Sequence, residues 1–436
     1  MTGDNQRCAE GSTSNSRSDT SSSRRSVLKG ATAGGLALTT GLAGCINQLG
    51  GGGGGSIKVG SLVDQSGALA VYGNPMAKAT QLAVDQINAN GGLLDRDVEL
   101  VQKDPQSSND KYQSMARQLI LEENVDVLLG GISSASREAI RPIIDENKQL
   151  YFYPALYEGG VCDEYTYLTG PVPTQQVRPL VEYMLGEYGN NVYVMAADYN
   201  FGQISTLWTQ RYVEEMGGTV VNKEFIPLSV SDFSSSINRI ENQDPDWIMS
   251  FLVGANHVQF FKQANSQGLQ KPMGSTVQAG ASYEHKTLSP PALQDMHVSF
   301  NYLEELDSER NQEFVSNFRD KFPDTEYINQ HAQSQYLSIQ FWQAAVKQAG
   351  TADQQEVNSQ LENGPEVNAP EGDVTLDPET HHTNHDMHIF RVGEDHSLSE
   401  VKTIKGIQPT WLQERCSLKS ESTWDDPTTK QVTPGE

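Results

Sequence analysis

Three serines, Ser133, Ser134 and Ser136, follow an apolar run from Val125 to Leu129 that ends in Gly130-Gly131, and they precede Ile140, Ile143 and Ile144 at helical spacing. Serine in that place caps a helix, and a helix N-terminus offers free N–H groups and about half a positive charge to an acceptor oxygen. The chemistry on offer is recognition of an acceptor; a plain cap is the competing use of the same serines. Bond-breaking chemistry is poorly provided for. Ser108-Asn109-Asp110-Lys111 fits the S-x-x-K pattern of penicillin-recognising enzymes, but S-D-N and K-T-G are absent, and no G-x-S-x-G elbow occurs. A hydrolase needs a nucleophile with a base, or a metal site, and the sequence shows neither. His381, His382, His385, His388 and His396 are five of the nine histidines and raise a metal reading, yet no cysteine lies near them. No catalytic residue, metal or cofactor is expected.

The elements that position the serines read as alternating strands and helices. Ile57 to Leu62 is a strand with the loop Asp64-Gln65-Ser66-Gly67 at its carboxyl end. A helix carrying Met76, Thr80, Ala83, Val84 and Ile87 follows and stops at Asn90-Gly91-Gly92. Strand Val98 to Gln102 and helix Lys111 to Glu122 lead to the apolar run before the serines. Leu150 to Leu156 is the next strand and opens onto Tyr157-Glu158-Gly159. Repeated βα units imply a parallel sheet with right-handed crossovers, and ligands sit outside the carboxyl ends of such strands. After Thr169-Gly170-Pro171-Val172-Pro173 the pattern restarts, with strands at Asn191 to Ala196, Thr219 to Ile226 and Asp246 to Val253. Helices are expected at Gln175 to Tyr188, Thr206 to Met216, Phe233 to Gln243 and His257 to Gln267. Gly170 to Pro173 is a hinge candidate between two similar lobes, or a fixed turn.

At 436 residues the chain is long enough for two domains. Asp and Glu number 56 against 31 Lys and Arg, a formal charge of −25, which argues against a nucleic-acid partner. The excess runs through both halves and points to a salty medium, where screening makes a dense acidic surface tolerable. Arg24-Arg25, the weakly apolar run Gly30 to Gly44 and the lipobox Leu42-Ala43-Gly44-Cys45 predict twin-arginine export and a lipid on Cys45. Gly50 to Gly55 reads as a flexible tether. The protein is therefore expected on the extracellular face of the membrane, held by its lipid. Of four cysteines, Cys8 leaves with the signal and Cys45 takes the lipid; Cys162 and Cys416 are left as a disulfide or as two free thiols.

Gln81-Leu82-Ala83-Val84-Asp85-Gln86-Ile87-Asn88 through Gly91-Gly92 resembles a signature of the type I periplasmic-binding-protein family, the Leu/Ile/Val-binding class of ABC transporter substrate-binding proteins. Ser134-Ala135-Ser136-Arg137, Tyr153-Pro154 through Tyr157-Glu158-Gly159, Asp198-Tyr199-Asn200-Phe201, and Asp377-Pro378 through His381-His382-Thr383 resemble its urea and short-chain amide subgroup, haloarchaeal lipoprotein members among them. The likeness covers residues 57 to 412. It implies an α/β fold of two doubly wound parallel-sheet lobes joined by a hinge, with a ligand closed between them and membrane permease subunits of an ABC importer as partners. The expected organisation is a signal over 1–45, a linker over 46–56 and a tail over 413–436 without apolar periodicity. Lobe 1 takes 57–172 with about 273–362, and lobe 2 takes 173–272 with about 363–412. Carried over residue by residue, the resemblance places Ser134, Tyr153 and Tyr199 on the ligand, with Phe201 as an aromatic wall and Ser133 and Ala155 beside them. A neutral urea or short-chain amide is the expected solute, and a branched-chain or other amino acid is the alternative. Ile132 stands where amide binders carry an aromatic residue, and Ala255 where urea binders tend to carry an acid. Glu284 is then the candidate acid for an amino acid's ammonium.

Overall fold

The computed structural model describes residues 55–254, 256–410 and 416–419. Its first sheet grows around β1 (Ile57–Leu62), which pairs in parallel with β2 (Val98–Lys103) on one side and β3 (Val127–Gly130) on the other. β4 (Tyr151–Tyr153) and β5 (Thr166–Leu168) complete the order β2-β1-β3-β4-β5. Side chains of β3 alternate between two cores, as strand geometry requires. Val127 and Leu129 pack with α1 (Ala70–Ala89), whereas Leu128 packs with α2 (Asn109–Arg117) and α3 (Ser134–Asn147). A π turn over Gln118–Glu122 extends α2. Burial on both faces explains the apolar runs of β3 and β4.

The second sheet begins after α4 (Pro173–Tyr188) with β6 (Asn191–Ala197), α5 (Asn200–Glu215), β7 (Thr219–Ile226), α6 (Ser234–Gln243), β8 (Trp247–Phe251) and α7 (Asn256–Gln267). β9 (Met273–Ser275), the short α8 (Glu284–Thr287) and β10 (Met296–Phe300) follow in the same lobe. The chain then returns to the first lobe as α9 (Glu309–Lys321), α10 (Gln330–Ala349) and α11 (Gln354–Leu361), with the hairpin β11 (Glu366–Ala369) and β12 (Gly372–Thr375). α10 lies along α1, and the hairpin's Ala369 and Val374 share the core of α10. Finally β13 (His385–Val392) and β14 (Leu398–Ile407) add antiparallel edge strands, giving the order β14-β13-β10-β9-β8-β6-β7.

Two expected boundaries are corrected by this topology. Residues 273–300 belong to the second lobe, because β9 pairs with β8 and β10 continues the same sheet. Residues 366–375 belong to the first lobe, because the hairpin seals the apolar end of α10. Smaller differences have local causes. The strand expected over Leu150 to Leu156 pairs only over Tyr151–Tyr153, since Pro154 cannot donate to a ladder. α5 starts at Asn200, six residues before the expected Thr206, with Tyr199 as its cap residue. The expected tail at 413–436 is fixed at least at Cys416, which is buried and bonded to Cys162 with Cα atoms 5.8 Å apart. Leu418 N–H also donates to the Glu379 carbonyl at 2.9 Å. Arg24-Arg25, Cys45, most of the glycine tether and Ala255 lie outside the described residues.

Three crossings join the lobes, near Gly170, Asn301 and Thr383, and hydrogen bonds weave them together. A Cβ on Gly170 would stand 2.3 Å from the Ala155 carbonyl, so only glycine lets β5 leave its sheet there. Leu168 N–H donates to the His381 carbonyl at 2.9 Å, and Thr383 hydroxyl to the Leu168 carbonyl at 3.3 Å. Glu371 accepts from Asn301 Nδ2 at 2.8 Å and pairs with His385 Nδ1 at 2.9 Å. His382 stands on the same node. Its Nδ1 faces the Thr380 carbonyl at 2.6 Å and therefore carries the hydrogen, which leaves Nε2 to accept from the Tyr157 hydroxyl at 2.5 Å.

Two expectations follow from these ties. Cys162 and Cys416 are 254 residues apart, so their bond restrains a long stretch of the unfolded chain. Cys162→Ser should lower unfolding free energy by about 2–4 kcal/mol, read by chemical denaturation, and reductant should do the same to the unaltered protein. Burial brings His381 down to about 3 and His382 down to about 4. Unfolded imidazoles titrate near 6.5, so below that pH the unfolded state binds more protons and stability falls; above it these histidines contribute no slope. Stability of His382→Gln should fall with pH less steeply than the parent between about pH 6.5 and 4.5, by roughly one proton. Parallel slopes for the two proteins would count against a neutral buried His382.

Candidate functional site

Where β3 ends, the chain must turn sharply to start α3 within reach of the opposite lobe. Gly130 and Gly131 do this with φ of +126° and +92°. A Cβ on Gly130 would meet the Leu62 carbonyl at 2.2 Å. Ser133 caps α3, its Oγ accepting from Ser136 N–H at 3.0 Å. The first N–H groups of the helix, at Ser134 and Ala135, are left to face whatever stands in front of it.

In front of it is a cavity of about 30 Å³ between the lobes. The first lobe contributes Leu69, Tyr72, Ile132, Ser134, Leu156 and His331, and the second contributes Tyr199, Phe201, Val253 and Val277. The walls are mainly apolar, with four polar side chains among them, the composition of a small-molecule site. Phe201 meets Phe251 edge to face at 6.1 Å and lies 6.0 Å from Tyr199, which fixes the aromatic wall. Tyr72 and His331 form a T-shaped pair at 5.6 Å. His331 is neutral because burial brings it down to about 3, and its Nδ1 has no hydrogen-bond partner among the described residues. Burial likewise pushes the Tyr72 and Tyr199 hydroxyls up, so both keep their hydrogens.

Behind Ser134 lies a buried charge network. Ser134 Oγ donates to Glu158 Oε2 at 2.5 Å, and Arg137 Nη2 donates to Glu158 Oε1 at 3.1 Å, with both charged side chains fully buried. Arg137 also stacks over the rings of Tyr157 and Tyr153, at 4.5 and 5.0 Å to their centres. Glu138 bridges Arg137 to Arg141, and Arg141 grips Asp163 with two bonds of 2.7 and 2.8 Å. Asp163 is the neighbour of Cys162, so the network runs from the cavity wall to the disulfide. The opposite lobe joins it through Trp208, whose indole N–H donates to the Glu158 carbonyl at 2.8 Å.

Of the expected site residues, Ser134, Tyr199 and Phe201 come together on the cavity. Ser133, Tyr153 and Ala155 do not reach it. Ser133 is spent on capping; Tyr153 turns its hydroxyl to the Ile132 carbonyl at 2.8 Å and gives its ring to Arg137; Ala155 is buried against Gly170. Sequence reasoning missed Tyr72 and His331. Each stands in the first turns of its helix, where apolar periodicity has barely begun. Glu284 is engaged elsewhere: it accepts from Ala279 N–H at 3.0 Å and Ser282 Oγ at 2.5 Å and pairs closely with His257. Burial raises its pKa, but His257, Ser282 and the Ala279 N–H together outweigh that and hold it at about 2. Among the described residues no group of three or more His, Cys, Asp or Glu is placed to hold a metal ion, and no helix is long and apolar enough to cross a membrane.

Residues 56–397 match the model of a family described as periplasmic binding protein. The chain is 29% identical over 252 residues to Leu/Ile/Val-binding protein homolog 7 of Brucella abortus, covering 54% of this chain and 61% of that protein. It thus spans about three fifths of that relative's length. Among solved structures it is similar to a solute binding protein of an ABC transporter from Rhodopseudomonas palustris, in complex with 3,4-dihydroxy benzoic acid. That likeness has a TM-score of 0.73 at 21% identity and covers 82% of this chain and 99% of that one. A branched-chain amino acid transporter substrate binding protein from Streptococcus pneumoniae, in complex with isoleucine, gives a TM-score of 0.68 at 20% identity over 80% of this chain and 99% of that one. At such identities the solved structures speak for the fold, two α/β lobes around a cleft, and the family match over most of the chain places it among the periplasmic binding proteins.

Proposed function

We propose that the protein is the solute receptor of an ABC importer. It would hold a small organic solute between its lobes and hand it to membrane permease subunits, from a lipid-anchored position outside the cell reached by twin-arginine export. The observation that carries this reading is the cavity itself, walled by both lobes and set at the N-terminus of α3. The reading is a binding function without catalysis. Among the described residues that line the cavity no serine is paired with a histidine: Ser134 gives its hydrogen to Glu158, which stands behind the wall, and His331 faces Tyr72.

For the solute, the relatives give more support to a branched-chain amino acid than to an amide. The Brucella protein bears the Leu/Ile/Val-binding name, and the Streptococcus structure holds isoleucine. Leu69, Leu156, Val253 and Val277 supply apolar walls that suit an aliphatic side chain. A neutral urea or short-chain amide is the second reading, favoured by one feature of the site. Among the described residues no carboxylate lines the cavity, and Glu158 and Glu284 are already paired with Arg137 and His257. An α-ammonium left without a charged partner there would cost several kcal/mol unless backbone oxygens met it. The small closed volume agrees with a solute of few heavy atoms.

Calorimetry with leucine, isoleucine, valine, urea and acetamide separates the readings. Binding of a branched-chain amino acid ahead of both amides is the expected result, and the reverse order would move the assignment to the second reading. Tyr199→Phe should weaken whichever solute binds by about 1–3 kcal/mol, since it removes a polar partner from a desolvated site. Scattering should show a smaller radius with solute than without, as lobe closure requires. Turnover of urea or acetamide by the purified protein would overturn the receptor reading.

A further inference from the structure

Glu158 does not line the cavity, yet it decides what Ser134 can offer there. In the 2.5 Å bond between them only the serine has a hydrogen to give. Glu158 already accepts from Arg137 at 3.1 Å, and a carboxylate beside a guanidinium is an acceptor only. The single hydrogen of Ser134 is therefore spent backwards, away from the cavity. What its Oγ can show a solute is a lone pair.

We infer that Glu158 is a positioning residue which, acting through Ser134, makes that point of the site a hydrogen-bond acceptor and so selects solutes carrying an N–H or ammonium there. The inference rests on the cavity being the solute site and deepens that reading. The same helix end presents donors, the N–H groups of Ser134 and Ala135, a few ångströms along the backbone. Donor and acceptor side by side suit a solute with an oxygen and a nitrogen on one carbon, as in amides, or on adjacent carbons, as in amino acids; simple carboxylic acids have neither arrangement. The arrangement is held stiffly. Arg137 is fixed by Tyr153, Tyr157 and Glu138, and the backbone of Glu158 is held by Trp208 from the other lobe. The carboxylate is thus not free to turn and release the serine.

Glu158→Gln tests this with two solute pairs, leucine against 4-methyl-2-oxopentanoate and acetamide against acetate. In each pair the second member offers oxygen where the first offers nitrogen. A glutamine can keep its oxygen toward Arg137 and donate its N–H to Ser134 Oγ, which frees the serine hydrogen to point into the cavity. Wild type should prefer the nitrogen-bearing member of the pair it binds by about tenfold or more, and Glu158→Gln should shrink or reverse that preference by about tenfold. Ser134→Ala should bring the preference near parity by itself, and Glu158→Gln should then add no further change. Ser134→Ala leaves the Arg137 pair intact, so it decides the matter even if Glu158→Gln fails to fold: an undiminished preference in Ser134→Ala overturns the inference. So does a wild-type preference kept in folded Glu158→Gln, or a shift of equal size in the Ser134→Ala background. Wild type that binds neither pair fails earlier, at the solute site itself, and takes the inference with it.

Discussion

A carboxylate sealed from water must be matched, and Glu158 is the group on which this structure most depends. Its side chain is fully buried beside Arg137, also fully buried, and neither could stay charged alone without a cost of several kcal/mol. Each requirement of that pair places something else. Arg137 must leave α3 at its first turn, so the glycines before it must turn the chain at once. The guanidinium's faces need aromatic cover, which Tyr153 and Tyr157 provide from the next strand and loop. The second oxygen of Glu158 needs a donor, and Ser134 provides it from the same helix turn as Arg137. A pair of this kind adds little net stability over an apolar core. Its contribution is to fix one arrangement of the cavity wall.

The contact between the lobes uses the same group from the other side. Trp208 of the second lobe reaches the Glu158 carbonyl, so the backbone that carries the carboxylate is also a latch between lobes. At the far end of the cleft the three crossings are tied by Leu168, Thr383, Asn301, Glu371 and His385. Such a node of buried polar groups permits rotation of the lobes only as far as its bonds bend. On the proposed receptor reading, a solute would shift the balance toward a closed form only through contacts it makes better there, and Tyr199 and Phe201 are second-lobe residues on the cavity wall that could supply them.

The strands and helices were legible where the central strands are parallel and buried: runs such as Trp247–Phe251 have no polar face to confuse the period. Lobe membership was less so. Nothing in the residues of β9 and β10 says which sheet they join, since the choice of sheet is made by long-range packing rather than by local pattern. The hairpin β11–β12 misled for the same reason. Within the site, Ser134 could be read from its cap position and Phe201 from its motif, but Tyr153 reads as a site tyrosine while its hydroxyl turns away. Tyr72 and His331 carry no local signal, being single polar residues at helix starts. Glu158 was visible only as part of a motif after a strand, with no role attached; its partner Arg137 lies 21 residues earlier, and folding alone brings them together.

The distribution of charge separates what salt can weaken from what it cannot. The formal charge of −25 resides mostly on exposed carboxylates, and many visible surface pairs, such as Arg211–Glu215 and Arg310–Glu313, are of the screened kind that adds at most about 1 kcal/mol each. The pairs that shape the cavity, Arg137–Glu158 and Arg141–Asp163, are shut away from ions. Added salt would relieve repulsion among the surface acids while leaving these two intact, because screening acts through solvent that does not reach them. The acidic surface and the balanced interior therefore answer to different conditions. A chain built this way can gain stability from salt without altering the site at its centre.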